Sequence, residues 1–353
     1  MRTAMSRRQF TTLLGASAAA VSCGTATGNS SGKQTKKLRY QGWAGQVTLP
    51  ELAEDLGYLD DVKLDWVGNT ISGPQDIQSA ATGQVDFGGA FNGAVVKLAA
   101  NGAPITSVIA YYGSDKAAYN GFYVLEDSPI RSARDLIGKK VGMNTLGAHS
   151  EAMLDIYLQR HGLSKGEIGK VQPLVVPPVN TEQSLRQHQI QVGVLGDILR
   201  EKALTHGGIR PLFTDVQLLG EFSAGTYVMT DRFLRQNPDT AKTFVTGVAR
   251  AIEWARRTPR DEAIDRMTEI VKKRDRKEDA TALKYWKSFG VAETGGRITD
   301  KQLQLWIDWL AERGDIKQGK VKASDLYTNE YNGYRPASTS PSPSAPSATT
   351  TRS

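Results

Sequence analysis

The stretch VGMNTLGAHSEAML, residues 141–154, places several small hydrogen-bonding groups directly before a helix-like run. Its polar turn contains Asn144, Thr145, Gly147, His149 and Ser150. The first four N–H groups of a helix have no partner within it, and the helix dipole adds about half a positive charge there. A small anion or polar group can bind these amides, because Gly147 and Ala148 add no bulk. Alternatively, Thr145 or Ser150 is only a helix cap.

The elements around this turn alternate between short β-branched or aromatic runs and helical stretches such as GPQDIQSAATG. This alternation predicts an α/β fold with parallel strands. The nine predicted strands are 37–41, 62–67, 84–89, 105–112, 120–126, 139–144, 171–176, 191–196 and 225–230. In such sheets, ligands bind at the carboxyl ends of the strands, so the turn after residue 143 is a candidate binding site.

Four other strand-end turns are expected to face the same cleft. Their candidate ligand-binding residues are Trp43, Gln46, Ser72, Gly73, Phe91, Asn92 and Asp197. Trp43 either contacts a ligand or packs between elements. Asp197 either binds a cationic amine or caps the following helix.

The C-terminal third contains two amphipathic patterns, NPDTAKTFVTGVARAIEWARRTP and ITDKQLQLWIDWLAERG. In the second, Thr299 and Gln302 form a candidate capping box, and Gly314 is a natural stop. One apolar face comprises Leu303, Trp306, Ile307 and Leu310. These helices are expected to be packing elements that cover the first lobe of a two-lobed fold.

Two segments echo each other, GFYVLED at 121–127 and GTYVMTD at 225–231. If both cross between the same two lobes, the region between them is an inserted second lobe, and two short crossings make a hinge. The sequence then predicts a first lobe at 37–122 and 228–334 and a second lobe at 123–227. A chance match of two ordinary strands is the alternative.

The N-terminus has the features of an export signal. Arg7 and Arg8 precede Phe10 and a short apolar stretch, which resembles a twin-arginine signal over residues 1–22. Cys23, the single cysteine, follows Ala-Val-Ser and resembles the acylated cysteine of a lipobox. A Gly/Ser/Thr-rich tether, 23–36, and a Pro/Ser/Thr-rich tail, 335–353, flank the predicted folded part.

The chain resembles the solute-binding lipoproteins of ABC importers, in the branch for aliphatic sulfonates, taurine, nitrate and thiamine-pyrimidine precursors. The segments that carry the resemblance are ELAEDLGYL, SGPQDIQSAATGQVDFGGAFNGA, AANGAPI, SPIRSARDLIGKKVGMNTLGAHSEAML and RFLRQNPDTAKTFV. The resemblance implies a two-lobed type 2 periplasmic-binding-protein fold that closes on a small solute and delivers it to a membrane permease. It also implies export and, through lipid on Cys23, attachment to the outer face of the cytoplasmic membrane.

Other function classes find little support in the residues. Three bases of the +7 net charge lie in the export signal, and the remaining bases are scattered, so nucleic acid is not an expected partner. The four histidines form no metal-ligand cluster, and GNSSG at 28–32 lacks the strand–turn–helix context of a nucleophile. One cysteine cannot supply the cysteine-rich iron site of the related pyrimidine-forming fungal branch.

The prediction is therefore a non-enzymatic receptor without a cofactor. Because the predicted turns contain no Arg or Lys, neutral donors must hold the solute. The solute is expected to be a small organic anion such as an aliphatic sulfonate. A neutral thiamine-pyrimidine precursor is the alternative ligand, and a lipoprotein that acts as a protein-interaction module is the alternative of another class.

Overall fold

The computed structural model describes residues 34–336. The predicted signal, Cys23 with the tether up to residue 33, and the tail from residue 337 lie outside the described residues. The strands are β1 (Lys37–Gly42), β2 (Lys63–Asn69), β3 (Gly88–Phe91), β4 (Ile105–Ser114), β5 (Asn120–Leu125), β6 (Lys140–Met143), β7 (Gln172–Val175), β8 (Val192–Gly196), β9 (Ile209–Thr214) and β10 (Phe222–Thr230). The helices are α1 (Leu49–Asp55), α2 (Gly73–Ala81), α3 (Asn92–Ala100), α4 (His149–Arg160), α5 (Lys165–Ile168), α6 (Pro178–Arg186), α7 (Asp197–Thr205), α8 (Asp215–Leu219), α9 (Asp231–Gln236), α10 (Pro238–Arg257), α11 (Arg260–Lys273) and α12 (Asp300–Arg313).

The strands form two lobes. In the first lobe, β1 and β2 form a parallel pair, and β3, β10 and β4 form a three-stranded sheet in that order. The second lobe contains a five-stranded sheet of order β7-β6-β8-β5-β9, in which β6 runs parallel to β7 and β8. The carboxyl ends of these parallel strands lead directly into helices, as the α/β pattern predicts.

All nine predicted strands have a counterpart, and residues 34–336 contain a tenth strand, β9, that the pattern does not predict. The strand predicted at 84–89 begins only at Gly88, because Asp86 bonds to β1 partly through its side chain: Arg39 N donates to Asp86 Oδ2 at 2.7 Å. The missed strand, β9, contains Pro211, a residue that argues against a strand. Proline is tolerated here because β9 is the edge strand of its sheet.

The chain passes between the lobes earlier than the sequence echo predicts. β5 pairs with β8 and β9, whereas β10 pairs with β3 and β4, so the two echoing strands belong to different lobes. The lobe boundaries predicted at 122/123 and 227/228 fall inside β5 and β10. Because each strand pairs within one sheet along its length, the chain crosses between the lobes in the segments before them, 115–119 and 215–221. Each echoing strand thus begins soon after a crossing.

The C-terminal helices bury their apolar faces in two different places. α10 and α11 complete the core of the first lobe, where Phe244 and Val248 are fully buried. α12 buries the predicted face of Leu303, Trp306, Ile307 and Leu310 in a core that also contains second-lobe residues such as Met153. α12 therefore packs on both lobes. None of the helices in the described range has the length and apolar character that a membrane crossing requires.

Trp306 is the central side chain of this shared core and generates a stability prediction. It is 1% exposed, and its ring lies 4.5 Å from that of Phe91 in the first lobe. We expect Trp306→Ala to lower the free energy of unfolding by about 3–5 kcal/mol, the usual cost of such a cavity. The neighbouring Leu305, 38% exposed, is the matched control, and Leu305→Ala should cost less than about 1 kcal/mol. Equal losses in urea unfolding would contradict the assigned packing.

Candidate functional site

The candidate site lies where helices of both lobes begin. In the first lobe, α2 follows β2 and α3 follows β3; in the second, α4 follows β6 and α7 follows β8. Most of the predicted ligand-binding residues lie at these four junctions, and only Trp43 and Gln46 lie elsewhere, in the turn after β1.

The two lobes touch at the predicted polar turn. Thr145 Oγ1 lies 3.4 Å from Ser72 Oγ, at the start of α2. Asn144 Nδ2 donates to the carbonyl oxygen of Ile71 over 3.4 Å. The turn 144–149 therefore faces the opposite lobe. The line of contact formed by residues 71–72 and 144–145 is called the seam, and both α2 and α4 begin beside it.

Gly73 serves packing at this seam. A Cβ on Gly73 would lie 3.0 Å from Ala90 Cα, closer than real Cβ contacts normally come. The glycine thus lets the start of α2 approach β3.

His149 is buried between the lobes, with 6% of its surface exposed. Its ring is stacked on Phe91 of the first lobe, with centroids 5.5 Å apart and planes 7° from parallel. Phe222 contacts it edge-on, at a centroid distance of 5.7 Å. The ring nitrogens lie 3.3 Å from Asp215 Oδ2 and 3.4 Å from Asn120 Nδ2. His149 therefore contacts aromatic side chains with its ring and polar side chains with its ring nitrogens.

Asp215 connects this histidine to the two lobe crossings. It is fully buried, and its carboxylate accepts hydrogen bonds from Ser114 Oγ at 2.6 Å and Asn120 N at 3.1 Å. Burial opposes ionisation, but the nearby His149 ring and the hydrogen bonds from Ser114 and Asn120 hold the pKa of Asp215 below its usual range. This role is not predictable from the local sequence, because Asp215 follows β9, a strand that the sequence pattern does not indicate.

Phe91 and Asn92 are both buried where β3 ends and α3 begins, so a ligand role for them stays a prediction. Phe91 is 2% exposed and packs on both His149 and Trp306. Asn92 is fully buried; its Nδ2 donates to the carbonyl of Ser223 over 3.4 Å, and its Oδ1 has no partner among the described residues. A buried acceptor without a donor is costly, so a ligand donor or a water is the expected partner.

Asp197 is exposed and adopts a backbone φ of 43°, a left-handed value that is uncommon outside glycine. It is the first residue of α7; Gly196 is the N-cap, and no side chain caps this helix. The capping role considered for Asp197 is therefore not realised. The dense protein around it raises the pKa of its carboxyl, although the side chain is reached by solvent and Arg200 and His149 favour ionisation. Strained residues of this kind are concentrated at functional sites.

Trp43 and Gln46 are fixed from the first lobe. Gln46 N donates to the Trp43 carbonyl at 3.2 Å, and Arg274 donates to the Gln46 carbonyl at 2.8 Å. Trp43 is half-buried. The contacts that hold this turn run to Arg274 rather than to the second lobe, so a ligand role for both residues remains a prediction.

Among residues 34–336, no cluster of three or more His, Cys, Asp or Glu side chains could hold a metal ion. Asp76 in α2 is another buried acid, with 4% of its surface exposed. Its Oδ2 accepts from Gly89 N at 2.7 Å, while its Oδ1 is buried without a partner in the described chain. Burial raises the pKa of Asp76 to about 7, against the effect of the Gly89 bond.

This raised pKa predicts a pH-dependent stability. Between about pH 4 and 7 the folded state binds the Asp76 proton more tightly than the unfolded state, so the free energy of unfolding falls as pH rises. Asp76→Asn should remove about 2–3 kcal/mol of this fall between pH 5 and pH 8 in urea unfolding. Asp261→Asn, on a side chain 94% exposed, is the control. An unchanged pH profile in Asp76→Asn would show that the carboxyl titrates normally.

The sequence matches the profile of the family described as NMT1/THI5 like over residues 48–262. A curated relative, the 4-amino-5-hydroxymethyl-2-methylpyrimidine phosphate synthase of Candida albicans (strain WO-1), is 25% identical over 224 residues. That match covers 60% of this chain and 63% of the relative, so the chain spans less than two thirds of that protein's length.

Two solved structures show the same fold. The periplasmic aliphatic sulphonate binding protein SsuA from Escherichia coli aligns with a TM-score of 0.64 and 19% identity, covering 83% of this chain and 92% of that one. The periplasmic nitrate-binding protein NrtA from Synechocystis PCC 6803 aligns with a TM-score of 0.63 and 15% identity, covering 84% and 87%. The predicted periplasmic-binding-protein fold is confirmed, and the chain belongs to the NMT1/THI5-like family.

Proposed function

We propose that the protein is the extracytoplasmic solute-binding component of an ABC importer. It captures a small organic solute between its lobes and delivers it to a membrane permease, without a covalent step. The observation that supports this proposal is the contact between Ser72 and Thr145, because it joins a candidate ligand-binding turn of each lobe. Lobes that meet through short polar side chains can separate and close again around a solute.

The seam suits the anionic end of a solute. α2 and α4 both begin there. The N-terminus of a helix carries about half a positive charge and amides without partners inside the helix. The hydroxyls of Ser72 and Thr145 can donate hydrogen bonds to the same group. A sulfonate fits these donors without a lysine or arginine.

Asp197 offers a negative charge that suits the cationic end of a solute. Its exposed carboxylate lies near His149 and Asp215 and favours a cationic or N–H-donating group. A solute with a sulfonate at one end and an amine at the other would satisfy both parts of the cleft. We therefore infer an aminosulfonate such as taurine as the preferred class.

A second candidate is an aminopyrimidine. Asp197 and the unpartnered Asn92 Oδ1 are acceptors, and an exocyclic amine with a ring N–H supplies two donors. The name of the Candida albicans relative also refers to a pyrimidine, although it describes a synthase. The buried rings of Phe91 and His149 would border a planar ligand.

Export and anchoring belong to the same proposal. The twin-arginine segment and Cys23 would place the receptor on the outer face of the cytoplasmic membrane, held by lipid and tether beside its permease. These residues lie outside the described part of the chain, so the proposal rests on their sequence alone.

Calorimetric titration with taurine, ethanesulfonate, nitrate and 4-aminopyrimidine tests the function. We expect taurine to bind best, and Thr145→Ala to weaken its binding about tenfold, the effect of losing one hydrogen bond to a charged group. Asp197→Asn should weaken taurine binding by a similar factor and leave ethanesulfonate unchanged.

Thr82→Ala, at the far end of α2, and Asp261→Asn are the matched controls and should leave affinity unchanged. Selective binding of 4-aminopyrimidine would replace the aminosulfonate with the second candidate. Absence of binding to every member of the panel would contradict both candidates.

A further inference from the structure

The start of α4 is held by an unusual acceptor. Its N-cap is Ala148, which has no side-chain oxygen, and no side chain caps the helix in the ordinary way. Instead, Glu151 in the first turn reaches back, and its Oε2 accepts from Gly147 N at 2.8 Å. The turn that meets the first lobe is thus fixed by a carboxylate within its own helix.

That carboxylate is fixed in turn by an arginine from α12. Arg313 Nη2 lies 3.2 Å from the other oxygen of Glu151, Oε1. The same guanidinium pairs with Asp155, one turn further along α4, and its Nε donates to Asp315 at 2.9 Å. Its side chain is 27% exposed and that of Glu151 17%, so solvent screens this pair less than an ordinary surface pair.

Arg313 also lies on the first lobe. Its guanidinium stacks on Trp309 at 4.7 Å, and the neighbouring Asp315 pairs with Lys97 of α3 at 3.2 Å. A continuous chain of charged groups therefore runs from α3, through Arg313 and Glu151, to the amide of Gly147.

We propose that Glu151 and Arg313 are positioning residues, which hold the turn 144–149 in register with the start of α2 and tie its position to α12. The inference rests on the proposed function in one respect, since the turn is taken to hold the solute. The contacts on which it depends exist without a solute.

Hydrogen–deuterium exchange of the peptide spanning 144–150 tests the positioning directly. Glu151→Ala removes the acceptor and should speed exchange of the Gly147 amide about tenfold, the factor for about 1.4 kcal/mol. Glu151→Gln keeps an acceptor oxygen and should exchange nearly as slowly as the wild type. Arg313→Gln should lie between them, because Glu151 remains but loses its partner.

Arg134→Gln is the matched control, since it removes an exposed ion pair with Glu167 in the same lobe, away from the turn. Unchanged exchange in peptides of β6 and β8 shows that each variant is folded. Exchange at 144–150 equal to wild type in folded Glu151→Ala and Arg313→Gln would overturn the inference.

Taurine titration of the same variants separates this inference from the proposed function. Weaker binding together with faster exchange supports both. Faster exchange in a protein that binds no solute of the panel overturns the function and leaves the positioning intact. Faster exchange with wild-type affinity overturns the binding role of Glu151 and Arg313.

Discussion

The stacking of His149 on Phe91 is the contact on which the arrangement of the lobes depends. One ring starts a helix of the second lobe and the other ends a strand of the first, so their contact fixes how closely the strand ends approach. Nε2 of His149 lies 3.3 Å from Asp215 Oδ2. Asp215 accepts hydrogen bonds from Ser114 and Asn120, which lie on either side of the crossing at 115–119. A displacement of one ring must therefore disturb both the aromatic core and the hinge.

The polar seam and the shared core have different energetic roles. Trp306 and its neighbours bury apolar surface from both lobes and supply stability. The contacts at Ser72 and Asn144 are long, at 3.4 Å, and neutral, so each contributes little. Weak polar contacts over an open edge and a strong core behind it suit a cleft that opens on one side only. The charged chain through Arg313 connects α12 to the turn beside the seam.

The sequence predicts much of this arrangement and misses its long-range part. The position of Gly73, Asn92, Thr145 and Asp197 between strand ends and helix starts is predictable, because small polar residues after a strand have a local signature. Their contact with a ligand stays a prediction. The strand before Asp215 was hidden by a proline that only an edge position explains. The partner of Glu151 lies 162 residues away, and no local pattern indicates such a pair. The apolar face of α12 was predictable, but not that it would contact both lobes.

The most direct measurement of the central claim is cysteine crosslinking across the seam. Ser72→Cys combined with Thr145→Cys, in a Cys23→Ser background, should form a disulfide under mild oxidation, because the native hydroxyl oxygens lie 3.4 Å apart. A solute that closes the lobes should speed this reaction, whereas Thr82→Cys with Thr145→Cys should not crosslink. Failure of the first pair to crosslink, or the same rate with and without a solute that binds, would contradict closure of the two lobes at this turn.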